Sequence, residues 1–242
     1  MPVRAVTFDY WDTIFIGASA PERAVLRQGA LRRLLAAVGH SLPDDRIREI
    51  YTAANSEAER WWREEHRGYT TDERIRWMLR RIDVDRPADC EHVAQAIREV
   101  DDALLAYPPP LIADADQVLA RLASVYTLAI VSDTGFASGQ AQDRLLEKHQ
   151  LLSLFSATVY SMDIGWAKPR PEPFAAASRA LGVAPSEIVH VGDNERTDIR
   201  GALAAGMRAV RVDFLTPGGP SEAEYVARSW NDLGDYLLSL RA

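Results

Sequence analysis

Short apolar runs rich in β-branched residues recur along this chain, and each is cut off by polar or acidic residues. Ala5-Val6-Thr7-Phe8 stops at Asp9, Leu128-Ala129-Ile130-Val131 at Ser132-Asp133, and Ile188-Val189-His190-Val191 at Gly192-Asp193. Such runs are too short for helices. Without polar alternation they read as strands buried on both faces, as in parallel sheets. Further strands are expected at 157–160 and 209–212, and helix-length phrases near 114–124, 138–149, 172–181 and 198–205 separate them. Strands alternating with helices at this spacing predict an α/β fold: a parallel sheet with helices on both faces.

One long stretch breaks the alternation. From Gly17 to Leu104 no strand pattern occurs, and four apolar stripes at helical spacing take its place. They are Leu31/Leu34/Leu35/Val38, Ile47/Ile50/Tyr51/Ala54, Ile75/Met78/Leu79/Ile82 and Val93/Ile97/Val100/Leu104, the first stopped by Gly39. Tyr107-Pro108-Pro109-Pro110 then stiffens the return. The expected organisation is a core of residues 1–16 and 106–242, interrupted by a small α-helical bundle at 17–105. Because the insertion follows the first acidic strand tip, it is placed to cover the crevice there as a lid.

In open α/β sheets the ligand crevice lies at the carboxyl ends of the strands. If the first and fourth strands are neighbours, Asp9, Asp193 and Asp198 converge there. Three close carboxylates repel one another unless protons or a cation intervene. A hard divalent ion, Mg²⁺, completed by water and phosphate is the economical reading. A net charge of −7 argues against a nucleic-acid surface, and no apolar stretch approaches a membrane span. The first residues enter a strand without a secretory segment, and the single cysteine, Cys90, excludes an internal disulfide, so a cytoplasmic location is expected. Only Lys148 and Lys168 among the 28 basic residues are lysine. In a chain that otherwise uses arginine, the loop residue Lys168 points to a need for a compact ammonium, whereas Lys148 reads as a solvated helix residue.

Together these phrases resemble the haloacid dehalogenase (HAD) superfamily, whose four motifs occur here in order. Asp9 with Thr13 is similar to motif I, Ser132 to motif II, Lys168 before Pro169 to motif III, and Gly192-Asp193 with Asp198 to motif IV; the helical insertion occupies the place of the C1 cap. The resemblance implies a Rossmann-like core and Mg²⁺-dependent hydrolysis, most simply of a small phosphorylated substrate through an aspartyl-phosphate on Asp9. It implies metal ligation by Asp9, the backbone carbonyl of Trp11, Asp193 and Asp198. Phosphoryl binding would fall to Thr13, Ser132, Asp133 and Lys168, with Asp9, Ser132 and Lys168 catalytic.

The chain departs from the family's phosphatases two residues after the nucleophile, where Trp11 stands instead of the aspartate that protonates the leaving group. An indole cannot exchange protons near neutrality, so acid–base help, worth roughly 10²–10⁴-fold, would be missing. Asp12 is expected to bond backbone in the turn rather than to replace that acid, and Trp11 to wall the site against the cap. Dehalogenase- or phosphonatase-like chemistry with the same nucleophile, or a weakly catalytic binding role, are the alternatives. Trp61, Trp62, Tyr69 and Trp77 among Arg60, Arg63, Arg67, Arg74 and Arg76 suggest either an anion-binding aromatic pocket or solvated helices; the neighbouring acids favour the second. One of the adjacent tryptophans would then be exposed, as at a homodimer interface; the expectation is a monomer or homodimer. His190 reads as a packed strand residue.

Overall fold

The computed structural model describes residues 2–17, 20–84 and 90–241. Six strands form one parallel sheet: β1 Ala5–Phe8, β2 Thr127–Ser132, β3 Phe155–Tyr160, β4 Ile188–Gly192, β5 Arg208–Val212 and β6 Tyr225–Ala227. Their spatial order is β3-β2-β1-β4-β5-β6, every pair parallel. The order reverses at β1: successive strands run outward on one side to β3, and the chain then returns to the other side at β4. A crevice opens at such a reversal. The β1–β4 register pairs Phe8 with Val191, and the Asp9 amide donates to the Val191 carbonyl at 2.8 Å. The two acidic tips therefore lie side by side, which meets the condition for their aspartates to converge.

Four helices form the insertion: α1 Pro21–Ala37, α2 Asp44–Arg60, α3 Thr71–Arg80 and α4 Cys90–Ala106. The cysteine reading falls on a side chain outside the described residues. The stripes bury as expected: Leu31, Leu34, Leu35, Ile47, Ile50, Ala54, Ile75, Met78, Leu79 and Val93 form an apolar cluster of their own. Leu104, at the end of the α4 stripe, packs instead with the core beneath the sheet. Thr70 caps α3 reciprocally with Glu73, each side chain accepting the other's backbone amide. Between α2 and α3 the backbone widens into a π-type turn, Trp61–Glu65, which closes on His66 in a left-handed conformation.

The remaining helices are α5 Ala115–Ala123, α6 Gly139–Lys148, α7 Ser161–Ile164, α8 Pro171–Leu181, α9 Arg200–Ala204 and α10 Trp230–Ser239. Two differences from the sequence reading concern the site or the core. The helix expected from Asp198 begins earlier, as a π-type turn over Glu195–Ile199, because the Asn194 side chain accepts from the amides of Arg196 and Thr197. The chain beyond Val212 adds β6 and α10, which the reading left unassigned. There Trp230, Leu233 and Leu237 enter the main core, and Ser229 caps α10 by accepting from the Asp232 amide. None of the described helices is long and apolar enough to cross a membrane.

Candidate active site

β1 delivers Asp9 to the crevice, and the turn after β4 delivers Asp193 and Asp198. Asp9 and Asp198 are buried and Asp193 half-buried, and one carboxylate oxygen from each lies within 4.8 Å of the other two. Glycine at position 192 makes this possible: a Cβ there would sit 2.4 Å from Cγ of Asp198. The Asn194 amide donates to the second oxygen of Asp198 at 3.0 Å.

Lys168 reaches under this cluster from the loop before α8. Its Nζ donates to Asp9 Oδ1 at 2.5 Å, to Asp198 Oδ1 at 2.6 Å and to the Val131 carbonyl at 2.9 Å. Burial opposes its charge, but Asp198, Asp9 and Asp133 hold the ammonium pKa above its ordinary value. With all three carboxylates ionised, one ammonium leaves an excess of two negative charges. Burial pushes the Asp9 carboxyl well up; Lys168 opposes this, while Asp198 and Asp193 add to it. Burial, Asp198 and Asp12 push Asp193 up to about 7. Asp198 goes the other way: against its burial, Lys168 and His190 hold it below the usual carboxylate range. A buried group of hard oxygen donors with two uncompensated charges fits a divalent cation such as Mg²⁺.

His190 is a packed strand residue, as expected, yet it also belongs to the site. Its Nδ1 bonds Thr7 Oγ1 at 2.9 Å and its Nε2 lies 3.4 Å from Asp198 Oδ1. Burial lowers its pKa, so the ring is neutral and orients Asp198. The signal available in sequence was a histidine inside an otherwise apolar strand next to motif IV.

Above the floor is a cavity of about 530 Å³ that the cap roofs. Asp9, Trp11, Asp12, Asp133, Lys168, Asp193 and Asp198 all line it. Asp12 has φ 55° and accepts the Gly17 amide at 2.7 Å, the backbone-turn role expected of it. Trp11 forms a wall, its ring edge-on to Tyr10. Two expected phosphoryl contacts lie elsewhere. Ser132 is buried and donates to Gln142 Oε1 at 3.0 Å, and Thr13 is buried in the core with its carbonyl accepting from Trp230 Nε1. Neither lines the cavity. Asp133 lines it, but both its oxygens are occupied, by Trp62 Nε1 at 2.9 Å and the Lys168 amide at 3.0 Å. It thereby ties the cap to the lysine loop.

Trp62, Tyr69, Arg23 and Arg27 line the cavity. Trp61 and Trp62 are both half-buried, so neither is the exposed tryptophan that the sequence suggested for an interface. Arg60, Arg63, Arg67 and Arg76 pair with cap acids as the solvated reading required. Arg74 differs, being buried against Phe136 and Tyr69.

A family model of haloacid dehalogenase-like hydrolases matches residues 3–206. The chain belongs to that family. As a HAD-like hydrolase it is 31% identical over 218 residues to a glyceraldehyde 3-phosphate phosphatase of Methanopyrus kandleri, covering 87% of this chain and 84% of that one. Its structure is similar to that of a 2-haloacid dehalogenase from Pseudomonas syringae pv. Tomato, with a TM-score of 0.70 and 25% identity over 99% of this chain and all of that one. A HAD phosphatase from Thermococcus onnurineus gives 0.67 and 25% over the same shares.

Proposed function

We propose that this HAD-like hydrolase is a Mg²⁺-dependent phosphatase of small phosphate monoesters, with Asp9 as nucleophile. One observation carries the reading: carboxylate oxygens of Asp9, Asp193 and Asp198 lie within 4.8 Å of one another, with Lys168 bonded to two of the three groups. That arrangement is costly unless a divalent cation offsets it. Asp9, Asp193 and Asp198, with the Trp11 carbonyl, would hold the ion, whose charge would offset that of the carboxylates and phosphoryl oxygens.

Lys168 binds one oxygen of Asp9 and opposes the burial that favours its protonation, leaving the other oxygen to attack phosphorus. In-line attack forms the Asp9–phosphorus bond as the ester P–O bond breaks; water then attacks that phosphorus and restores Asp9. Trp62, Trp11 and the cap roof exclude bulk water from the first step. Trp11 donates no proton, and the Asp12 carboxylate is engaged by the Gly17 amide. The departing oxygen therefore takes its proton from the substrate itself or leaves as the anion, which favours esters with good leaving groups.

Trp11 also fits a second reading, cleavage of a carbon–halogen bond by Asp9, since a halide departs without a proton. The acidic cluster favours the phosphatase. The deciding experiment measures phosphate release from p-nitrophenyl phosphate and a panel of metabolite phosphates, with and without Mg²⁺, beside halide release from 2-haloacids. Mg²⁺-dependent phosphate release that disappears in Asp9→Asn is expected. Halide release alone, independent of metal, would replace this reading with the second.

A further inference from the structure

The cavity has a second charged wall that the hydrolytic chemistry leaves unused. Arg23 and Arg27, one turn apart on α1, and Tyr51 and Asn55, one turn apart on α2, line it. Arg27 lies beside Tyr51 and 4.8 Å over the Phe136 ring. Its Nε is buried with no partner among the described residues, and the side-chain oxygen of Asn55 is in the same position. Arg74 stands behind them, 3.5 Å over the same ring, with its Nε also unpartnered.

This wall differs from the rest of the cap. Its outer arginines each face a carboxylate, but among the described residues none ion-pairs with Arg27 or Arg74. The two nearby acids are engaged elsewhere: Asp101 accepts from the amide and hydroxyl of Ser138, and Glu59 pairs with Arg63. Burial lowers the pKa of Arg23 and Arg27, and their proximity lowers that of Arg23 further. A guanidinium nitrogen held out of water without a hydrogen-bond partner, as in Arg27 and Arg74, favours the arrival of an anion. The cavity, about 530 Å³, holds a small metabolite reaching from the acidic floor to this wall.

We propose that the Arg27 wall receives a second anionic group of the substrate, so that the enzyme acts on phosphate monoesters with a carboxylate or second phosphoryl group remote from the scissile one. The proposal rests on the phosphatase reading for its chemistry, though not for its binding. Arg27 would hold the remote anion through the part of its guanidinium that lines the cavity, and Asn55 would present its side-chain amide to the same ligand. An anion fixed at that distance also orients the scissile group over Asp9.

The test uses three esters that differ at the far end: glycerol phosphate (a hydroxymethyl group), phosphoglycerate (a carboxylate) and propanediol bisphosphate (a phosphoryl group). In the unmodified protein, kcat/KM for at least one of the charged-ended esters should exceed that for glycerol phosphate by about tenfold or more, mostly through KM. Arg27→Gln should bring the esters to within about threefold of one another, and Arg27→Lys should recover part of the preference. Equal kcat/KM for all three in the unmodified protein overturns the proposal while leaving the phosphatase reading intact. Calorimetric binding of the same esters to Asp9→Asn protein with Mg²⁺ separates the two claims. Tighter binding of a charged-ended ester supports the wall whether or not that ester is turned over, and no binding preference overturns the wall; the phosphatase reading falls separately, if p-nitrophenyl phosphate releases no phosphate with Mg²⁺.

Discussion

At the residue scale, Lys168 sets the state of the site. Its ammonium is fully enclosed and divided between Asp9 and Asp198, and removing it leaves both carboxylates buried without a cation. Lys168→Met is expected to cost about 3–5 kcal/mol of unfolding free energy. Denaturant titration measures that loss, and addition of Mg²⁺ should recover part of it, since a divalent ion relieves the same repulsion. A second prediction concerns protons. Asp193, pushed up to about 7 by burial, Asp198 and Asp12, is partly protonated at neutrality, whereas a metal ligand must be ionised. Mg²⁺ affinity should therefore rise as pH increases through 7 and fall by up to about tenfold per unit below it. Calorimetry in two buffers of different ionisation enthalpy reads this as proton release on binding. Unchanged affinity between pH 5.5 and 8 would remove the assignment.

At the scale of elements, the cap depends on its own apolar cluster and on a few links between helices. Arg33 of α1 reaches Glu99 of α4 with two donors, at 2.8 and 2.6 Å. Although burial works to raise it, Arg33 and Gln95 hold the Glu99 carboxyl below its ordinary 4.5. A depressed carboxylate contributes stability that is present above pH 4.5 and lost as pH falls through its folded value. Glu99→Gln should cost about 0.5–1 kcal/mol at pH 7, a modest figure because Arg33 is largely exposed. The difference from the unmodified protein should shrink in melts as pH falls below 4.5 and close once it has passed the folded value. The π-type turn at Glu195–Ile199 shows how a short element serves the site. Asn194 caps it from one side, and the Asp198 amide bonds back to the Asn194 carbonyl at 2.9 Å, which swings Asp198 towards Lys168.

At the scale of the whole molecule, the cap is held to the core beside the lysine loop. The Gly68 amide donates to the Gly165 carbonyl and the Ala167 amide to the His66 carbonyl. The approach is so close that a Cβ on Gly68 would meet the Ser161 carbonyl oxygen at 1.8 Å. The Trp62–Asp133 bond is the matching side-chain tie. Trp62→Phe keeps the ring but removes the donor, leaving one Asp133 oxygen buried and unpaired. The expected result is a loss of about 1–3 kcal/mol of cap docking. That would appear as faster proteolysis between α2 and α3 and a raised KM, with Asp9 chemistry retained.

How much of this was legible in the chain follows from what each signal depends on. Strand positions, the parallel α/β class, the inserted helices and the acidic tips were readable because burial writes itself into local sequence: unbroken apolar runs, helical stripes, and polar residues where a strand leaves the core. Trp230, Leu233 and Leu237 carried the same kind of signal, with Ser229 as a cap, but it stood beyond the Gly218-Gly219-Pro220 loop and was left unassigned. Tertiary structure alone decided which side chains share a space. Ser132 turns to Gln142 and Thr13 into the core, because sheet register and helix packing set those directions. His190 gains its place beside Asp198 from a turn eight residues later. Sequence shows that the cap is rich in arginine; only its fold shows that Arg60, Arg63, Arg67 and Arg76 meet carboxylates while Arg27 and Arg74 do not. Periodicity records whether a residue is buried, but the partner it meets there is set by segments distant in the chain.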